Sequence, residues 1–127
     1  MKTLFTAALA LTPLIVSVAD TTGLPHAFDA AWQGRKTCEL LYEDETVRVG
    51  RCAFPPGVGH EKHYHNPHFG YVLEGSTMRM LDADGEQTVT TETGGSWSTA
   101  TVTVHEGLNV GEASARYLIV EPKAAGQ

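Results

Sequence analysis

From Thr37 to Pro122 the chain is a succession of short runs rich in Val, Thr, Tyr and Ile, broken at close intervals by turn-forming residues. Pro55-Pro56-Gly57, Asp82-Ala83-Asp84-Gly85 and Gly94-Gly95 are the clearest breaks. β-Branched and aromatic side chains fit a pleated, half-buried surface, and runs of this length and spacing build a sandwich or barrel. No long helical period, internal repeat or low-complexity tract competes with that pattern. The expectation is one all-β domain over residues 37–122. Asp84-Gly85, set between residues 77–81 and 86–91, predicts a hairpin. Tyr117-Leu118-Ile119-Val120, apolar at each position, predicts a strand buried on both faces.

The residues ahead of this region are of two kinds. Lys2 gives a small positive start, residues 4–18 are apolar but interrupted by Thr12-Pro13, and Ser17-Val18-Ala19 sets small residues at a cleavage point. Residues 1–19 therefore read as a secretory signal peptide, too short for a membrane span. The expected location is the periplasm or the medium, with no membrane insertion once the signal is removed. Residues 20–36 are a mixed lead-in, in which Phe28-Asp29-Ala30-Ala31-Trp32 predicts one helical turn or simple packing on the sheets. Residues 123–127 form a tail.

Cleavage after Ala19 leaves 127 − 19 = 108 residues, enough for one small domain. It removes only Lys2 among charged residues, so 8 basic residues face 15 acidic ones, a balance of −7. No run of Lys or Arg along the chain is longer than the pair Arg35-Lys36. Nucleic acid and anionic membrane surfaces are thus poor partners, and a small molecule is the expected one.

Cys38 and Cys52 flank a segment that reads as strand, acidic turn, strand. A turn centred on Glu45 sets them directly opposite, since 38 + 52 is twice 45. Facing residues of an antiparallel pair hold their β-carbons about 4.5–5.5 Å apart, close to what a disulfide requires. An oxidising compartment favours the bond; a one-residue slip would leave two buried thiols.

The histidines carry the chemistry. Four of six lie between His60 and His68, and His105 follows alone, four residues before Asn109. His63 and His65 are two apart, so on a strand both side chains leave one face. Thr101, Thr103 and His105 likewise share a face. Imidazole suits Zn, Cu, Fe and Ni, and two same-face imidazoles with a distant third are how a β-scaffold assembles such a centre. His26 carries no functional signal. Met78 and Met80 alternate with Arg79, as residues lining an interior do.

These residues resemble the two motifs of the cupin superfamily. In the first, written G-x5-H-x-H-x3/4-E-x6-G, Gly57 precedes His63-Tyr64-His65 by the expected interval, and the closing glycine falls on Gly75. In the second, G-x5-P-x-G-x2-H-x3-N, the matches are Gly94, His105 and Asn109. The resemblance covers nearly all of residues 37–122. It implies a single double-stranded β-helix of jelly-roll type, a common dimeric state, and a divalent transition metal (Fe, Mn, Ni, Cu or Zn) on His63, His65 and His105. Three departures stand out. His68 occupies the place of the motif's glutamate; Ala100 and Val102 replace its proline and second glycine; and Glu61, two before His63, offers a substitute carboxylate. His68 is the expected fourth ligand, with His60, Glu61, Tyr64, Tyr71 and Asn109 as expected neighbours of the site. With iron, such a centre resembles cupin dioxygenases acting on thiols or β-diketones. The alternative is a non-catalytic module that binds or senses a metal or small ligand.

Overall fold

The computed structural model describes residues 10–15 and 17–124, so the signal-peptide reading of residues 1–19 falls in large part outside the described residues. Among them the regular structure is all strand. A short hairpin of β1 (Ala31–Trp32) and β2 (Arg35–Lys36) leads into β3 (Cys38–Glu43), β4 (Val47–Phe54), β5 (Gly59–His65) and β6 (His68–Glu74). Then follow β7 (Thr77–Asp82), β8 (Gly85–Thr90), β9 (Ser96–Thr99), β10 (Thr103–Asn109) and β11 (Ala115–Pro122). One sheet has the order β5-β10-β7-β8 and the other β3-β4-β11-β6-β9. All pairings in both are antiparallel, and neither sheet closes on itself.

Phe54, Val72, Met78, Tyr117 and Ile119, drawn from both sheets, make the core between them. β11 lies at the centre of the five-stranded sheet, and its odd-numbered residues from Ala115 to Glu121 are buried while Arg116, Leu118 and Val120 are half-exposed. The expected burial on both faces is thus met on one face only, because among the described residues no further strand layer packs on the outer side of this sheet. Phe69, Tyr71 and Leu73 of β6 are exposed on the same side. The predicted hairpin forms between β7 and β8, with Asp82 opposite Gly85.

Cys38 and Cys52 are paired residues of β3 and β4 and form a disulfide. The register carries a bulge between Leu40 and Tyr42, so beyond it Glu43 faces Arg48. The extra residue moves the hairpin off a centre at Glu45 while the cysteines stay opposed, and a bulge inserts one residue in this way.

The lead-in is an integral part of the core. Its backbone joins β5 through Ala27 N to Tyr64 O at 2.9 Å and Tyr64 N to Pro25 O at 3.1 Å. A single turn follows, with the amides of Asp29 and Ala30 both donating to His26 O. Phe28 then packs on Gly50 of β4: a β-carbon there would lie 2.3 Å from its ring, so only glycine admits the phenyl group. His26 Nδ1 accepts the Phe28 amide at 3.1 Å, which puts the ring proton on Nε2, where it is donated to Glu121 Oε2 at 2.8 Å. Burial by itself would raise the Glu121 carboxyl, but the bonds from His26 and Asn66 hold it below its usual value.

Because the Gly50 socket cannot refill itself, Phe28→Ala should cost about 3–5 kcal/mol of stability, read as a lower urea midpoint at unchanged m. A loss under about 0.5 kcal/mol would show that the lead-in lies outside the cooperative core.

Candidate metal centre

The pairing of β5 with β10 builds the site. Thr103 faces His65 and His105 faces His63, which sets three imidazoles side by side on the inner face. Two residues further along β10, Gly107 faces His60, three residues back on β5. That bulge leaves Glu61 and Lys62 exposed and returns His60 to the interior, where it is 4 % exposed. Strict alternation would have sent Glu61 inward instead. Its carboxylate accepts the Gln33 amide at 3.0 Å, well away from the histidines.

One nitrogen from each of His63, His65 and His105 lies within 4.8 Å of the other two. His63 Nδ1 donates to the Glu61 carbonyl at 2.7 Å, which leaves Nε2 as the lone-pair nitrogen. His65 Nε2 lies 3.0 Å from it. His65 Nδ1 is buried with no hydrogen-bond partner, so the ring is unsatisfied in either tautomer. A cation shared by the two Nε2 atoms would take both lone pairs at that contact, and a backbone carbonyl fixing the far nitrogen, as at His63, is how ligating histidines are oriented. These three residues fit a divalent metal.

The cluster is electrically neutral. Burial, reinforced by the neighbouring imidazoles, pushes His63 down to about 2 and holds His65 far below its ordinary range. Burial likewise pushes His60 and His105 down to about 4. At neutral pH each ring therefore offers a lone pair without first losing a proton, as a metal ligand must.

His68 stands apart from the three. Its Nδ1 donates to the Asn66 carbonyl at 2.8 Å, and its Nε2 accepts the Trp97 indole N–H at 3.2 Å. Both nitrogens are committed, so the structure brings His68 to the chamber (rings of His65 and His68 are 4.7 Å apart) without freeing it as a fourth ligand. Gly70 makes this possible: a β-carbon there would sit 2.2 Å from the Trp97 indole, which crosses it to reach His68. His60 stacks on His63 at 3.8 Å and turns Nε2 toward Cys38 Sγ, 3.9 Å away.

The other expected neighbours lie elsewhere. Tyr64 does not line the chamber and packs edge-on against His26. Tyr71 is on the exposed outer face. Asn109 is 1 % exposed and ties the β10 end together, donating to Phe54 O and Ala113 O and accepting from Ser76 Oγ and the Gly111 amide.

The chamber measures about 260 Å³. Besides the five histidines, Phe54, Met78, Met80, Trp97, Tyr117 and Ile119 line it, and among the described residues no carboxylate or ammonium does. Thr91 and Tyr117 share a hydroxyl contact at 3.2 Å on its wall. Trp97 and Tyr117 carried no signal in sequence beyond being aromatic; the positions that reveal them, Gly70 and its pairing with Trp97, appear only in the register.

A two-sheet jelly roll with three inward histidines on neighbouring strands defines a class of small β-proteins with a metal-competent interior. The cupin domain family model matches residues 50–121, more than half of the chain, and the chain belongs to the cupin family. Solved structures agree in fold. A cupin domain from Bordetella pertussis Tohama I superposes with a TM-score of 0.65 at 20% identity, over 68% of this chain and 92% of that one. The polyketide cyclase RemF from Streptomyces resistomycificus gives 0.59 at 18% identity, over 85% and 80%. A sugar phosphate isomerase of the cupin superfamily from Silicibacter pomeroyi DSS-3 gives 0.53 at 21%, over 81% and 68%. No curated protein sequence matches the chain.

The depressed histidines set a sign for the pH dependence. Unfolded histidine gains its proton near pH 6.5, whereas His60 and His105 in the fold gain theirs near 4. The unfolded chain binds more protons between those values, so stability is full above about pH 6.5 and falls as pH drops toward 4. The urea midpoint of metal-free protein should be clearly lower at pH 5 than at pH 7.5; equal midpoints would contradict the neutral, buried cluster.

Proposed function

We propose that this cupin is an exported protein that holds a divalent transition metal (Fe, Mn, Ni, Cu or Zn) on His63, His65 and His105 and acts there on a small, largely apolar molecule. The observation that carries the reading is the pair of opposed Nε2 atoms of His63 and His65, buried at 3.0 Å beside a nitrogen of His105, with the far nitrogen of His63 fixed by the Glu61 carbonyl. Export is supported by the apolar character of residues 4–18 and by the Cys38–Cys52 bond.

When bound, such an ion supplies Lewis-acid or redox chemistry to a polar group presented to it. The residues of the chain do the rest. The Glu61 carbonyl holds the His63 ring, Trp97 keeps His68 off the open side, and Phe54, Met78, Met80 and Ile119 exclude water from the chamber. Its size and lining select a compact molecule with an apolar body and one metal-seeking head. The chamber wall supplies no carboxylate or ammonium for acid–base work, which favours chemistry centred on the metal, of oxygenase type, over hydrolysis. The same bare wall favours a second reading, a module that binds its ligand without turnover. The names of RemF and of the Silicibacter isomerase show that this fold also serves cyclisation and isomerisation.

Elemental analysis of untagged protein should find one equivalent of metal, lost in His63→Ala and His105→Ala and kept in His60→Ala and Glu61→Ala. Wild type that takes up none of the five metals would sink the proposal. With metal in place, oxygen uptake during a screen of small apolar chelators supports the enzyme, and tight binding with nothing consumed supports the module.

A further inference from the structure

On the far side of the disulfide lies a second depression, of about 470 Å³ and sharing no lining residue with the metal chamber. Its walls carry Arg35, Lys36, Arg51 and Arg116. Four of the chain's nine basic residues therefore meet in one place, on a protein of net charge −6. The register explains the gathering. Arg51 and Ala53 follow each other on the outer face of β4, Arg116 of β11 faces Ala53, and the Ala53 amide bonds Thr37 O across the other edge. The small side chain of Ala53 leaves a hollow between the arginines, and the β1–β2 hairpin hangs Arg35 and Lys36 beside it. Ala53, Pro55, Val58 and Cys38 add apolar surface.

The ion pairing here departs from that of the rest of the molecule. Arg48, Arg79 and Lys123 each reach a carboxylate, and so do Lys36 and Arg51 within the groove. Among the described residues, which include all fifteen acidic ones, Arg35 and Arg116 reach no carboxylate. Glu39, the one acid in the groove wall, is held by Arg51. Among the described residues only Lys62 shares this unpaired state. Cations crowded on adjacent strands repel each other unless an anion sits between them.

We propose that this groove binds a small organic oxyanion, its phosphate or carboxylate head taken by Arg35 and Arg116 and its apolar body laid along Ala53, Pro55 and Val58. Guanidinium presents a planar fork that matches such a head in two bonds, which a lone ammonium does not. Since Cys38 lines the groove and Cys52 lines the metal chamber, the disulfide is the wall between the two sites.

The test is a titration of the full, isotopically labelled chain with phenyl phosphate, followed by amide shifts. The expected result is saturable movement at Thr37, Ala53 and Arg116, weakened about tenfold in R35A/R116A and unchanged in Lys62→Gln. Should the double variant lose its folded spectrum, Arg35→Gln on the exposed hairpin should still weaken binding about threefold. Wild-type amides that do not move, movement confined to Thr91, Trp97 and His105, or undiminished binding in the arginine variants would each overturn the site. Inorganic phosphate binding as tightly as phenyl phosphate would overturn the role given to the apolar floor.

Discussion

The antiparallel register between β5 and β10 is the constraint on which the chamber depends. It places His105 opposite His63 and Thr103 opposite His65, and its bulge exchanges an inward Glu61 for an inward His60. A slip of one residue would turn every one of these side chains to the other face. Asn109 pins the far end of β10 to β4, to Ser76 in the β6–β7 turn and to the following loop through side-chain bonds, and the lead-in backbone clamps β5 on its other edge. The same two strands are therefore held from both sides by groups that take no part in the centre itself.

Electrostatics follows from that geometry. Five imidazoles share one apolar enclosure without a facing carboxylate, and burial keeps those nearest the centre unprotonated at neutral pH. A carboxylate in place of His68 would neutralise part of a bound ion's charge; an imidazole whose Nε2 is taken by Trp97 does not. An ion held here keeps a larger positive charge and an unblocked side, which suits an anionic or strongly polar head on an otherwise apolar ligand. Charge lies outside this enclosure, as in the buried Glu121 carboxylate bonded by His26 and Asn66 beneath the lead-in and in the arginine groove outside the disulfide.

Much of this was legible in the residue pattern. Alternating β-runs and turn residues gave the all-β class, the equal spacing of Cys38 and Cys52 about Glu45 gave their opposition, and the His63-x-His65 step gave two imidazoles on one face. What the pattern hid shares a physical origin. A bulge changes which residues point inward without leaving a mark in composition, so Glu61 and His60 exchanged places and the β3–β4 turn moved. Cross-strand contacts such as Trp97 over Gly70, or Arg51 beside Arg116, join residues far apart in sequence. The basic groove is the clearest case: one adjacent pair, Arg35-Lys36, and two distant arginines gave no sign of an anion site. The lead-in reads as a mixed segment that turns or packs on the sheets, and both happen; the socket at Gly50 that receives Phe28 shows only in the packing.

X-ray absorption at the metal edge of the protein as purified tests the central claim most directly, because it counts imidazoles. The account predicts three imidazole nitrogens at about 2.0–2.1 Å for zinc, with the remaining positions filled by light oxygen scatterers, and an unchanged pattern in His68→Ala. Four imidazoles falling to three in that variant would place His68 on the metal and contradict the tie to Trp97; a spectrum without imidazole scattering would contradict the centre altogether.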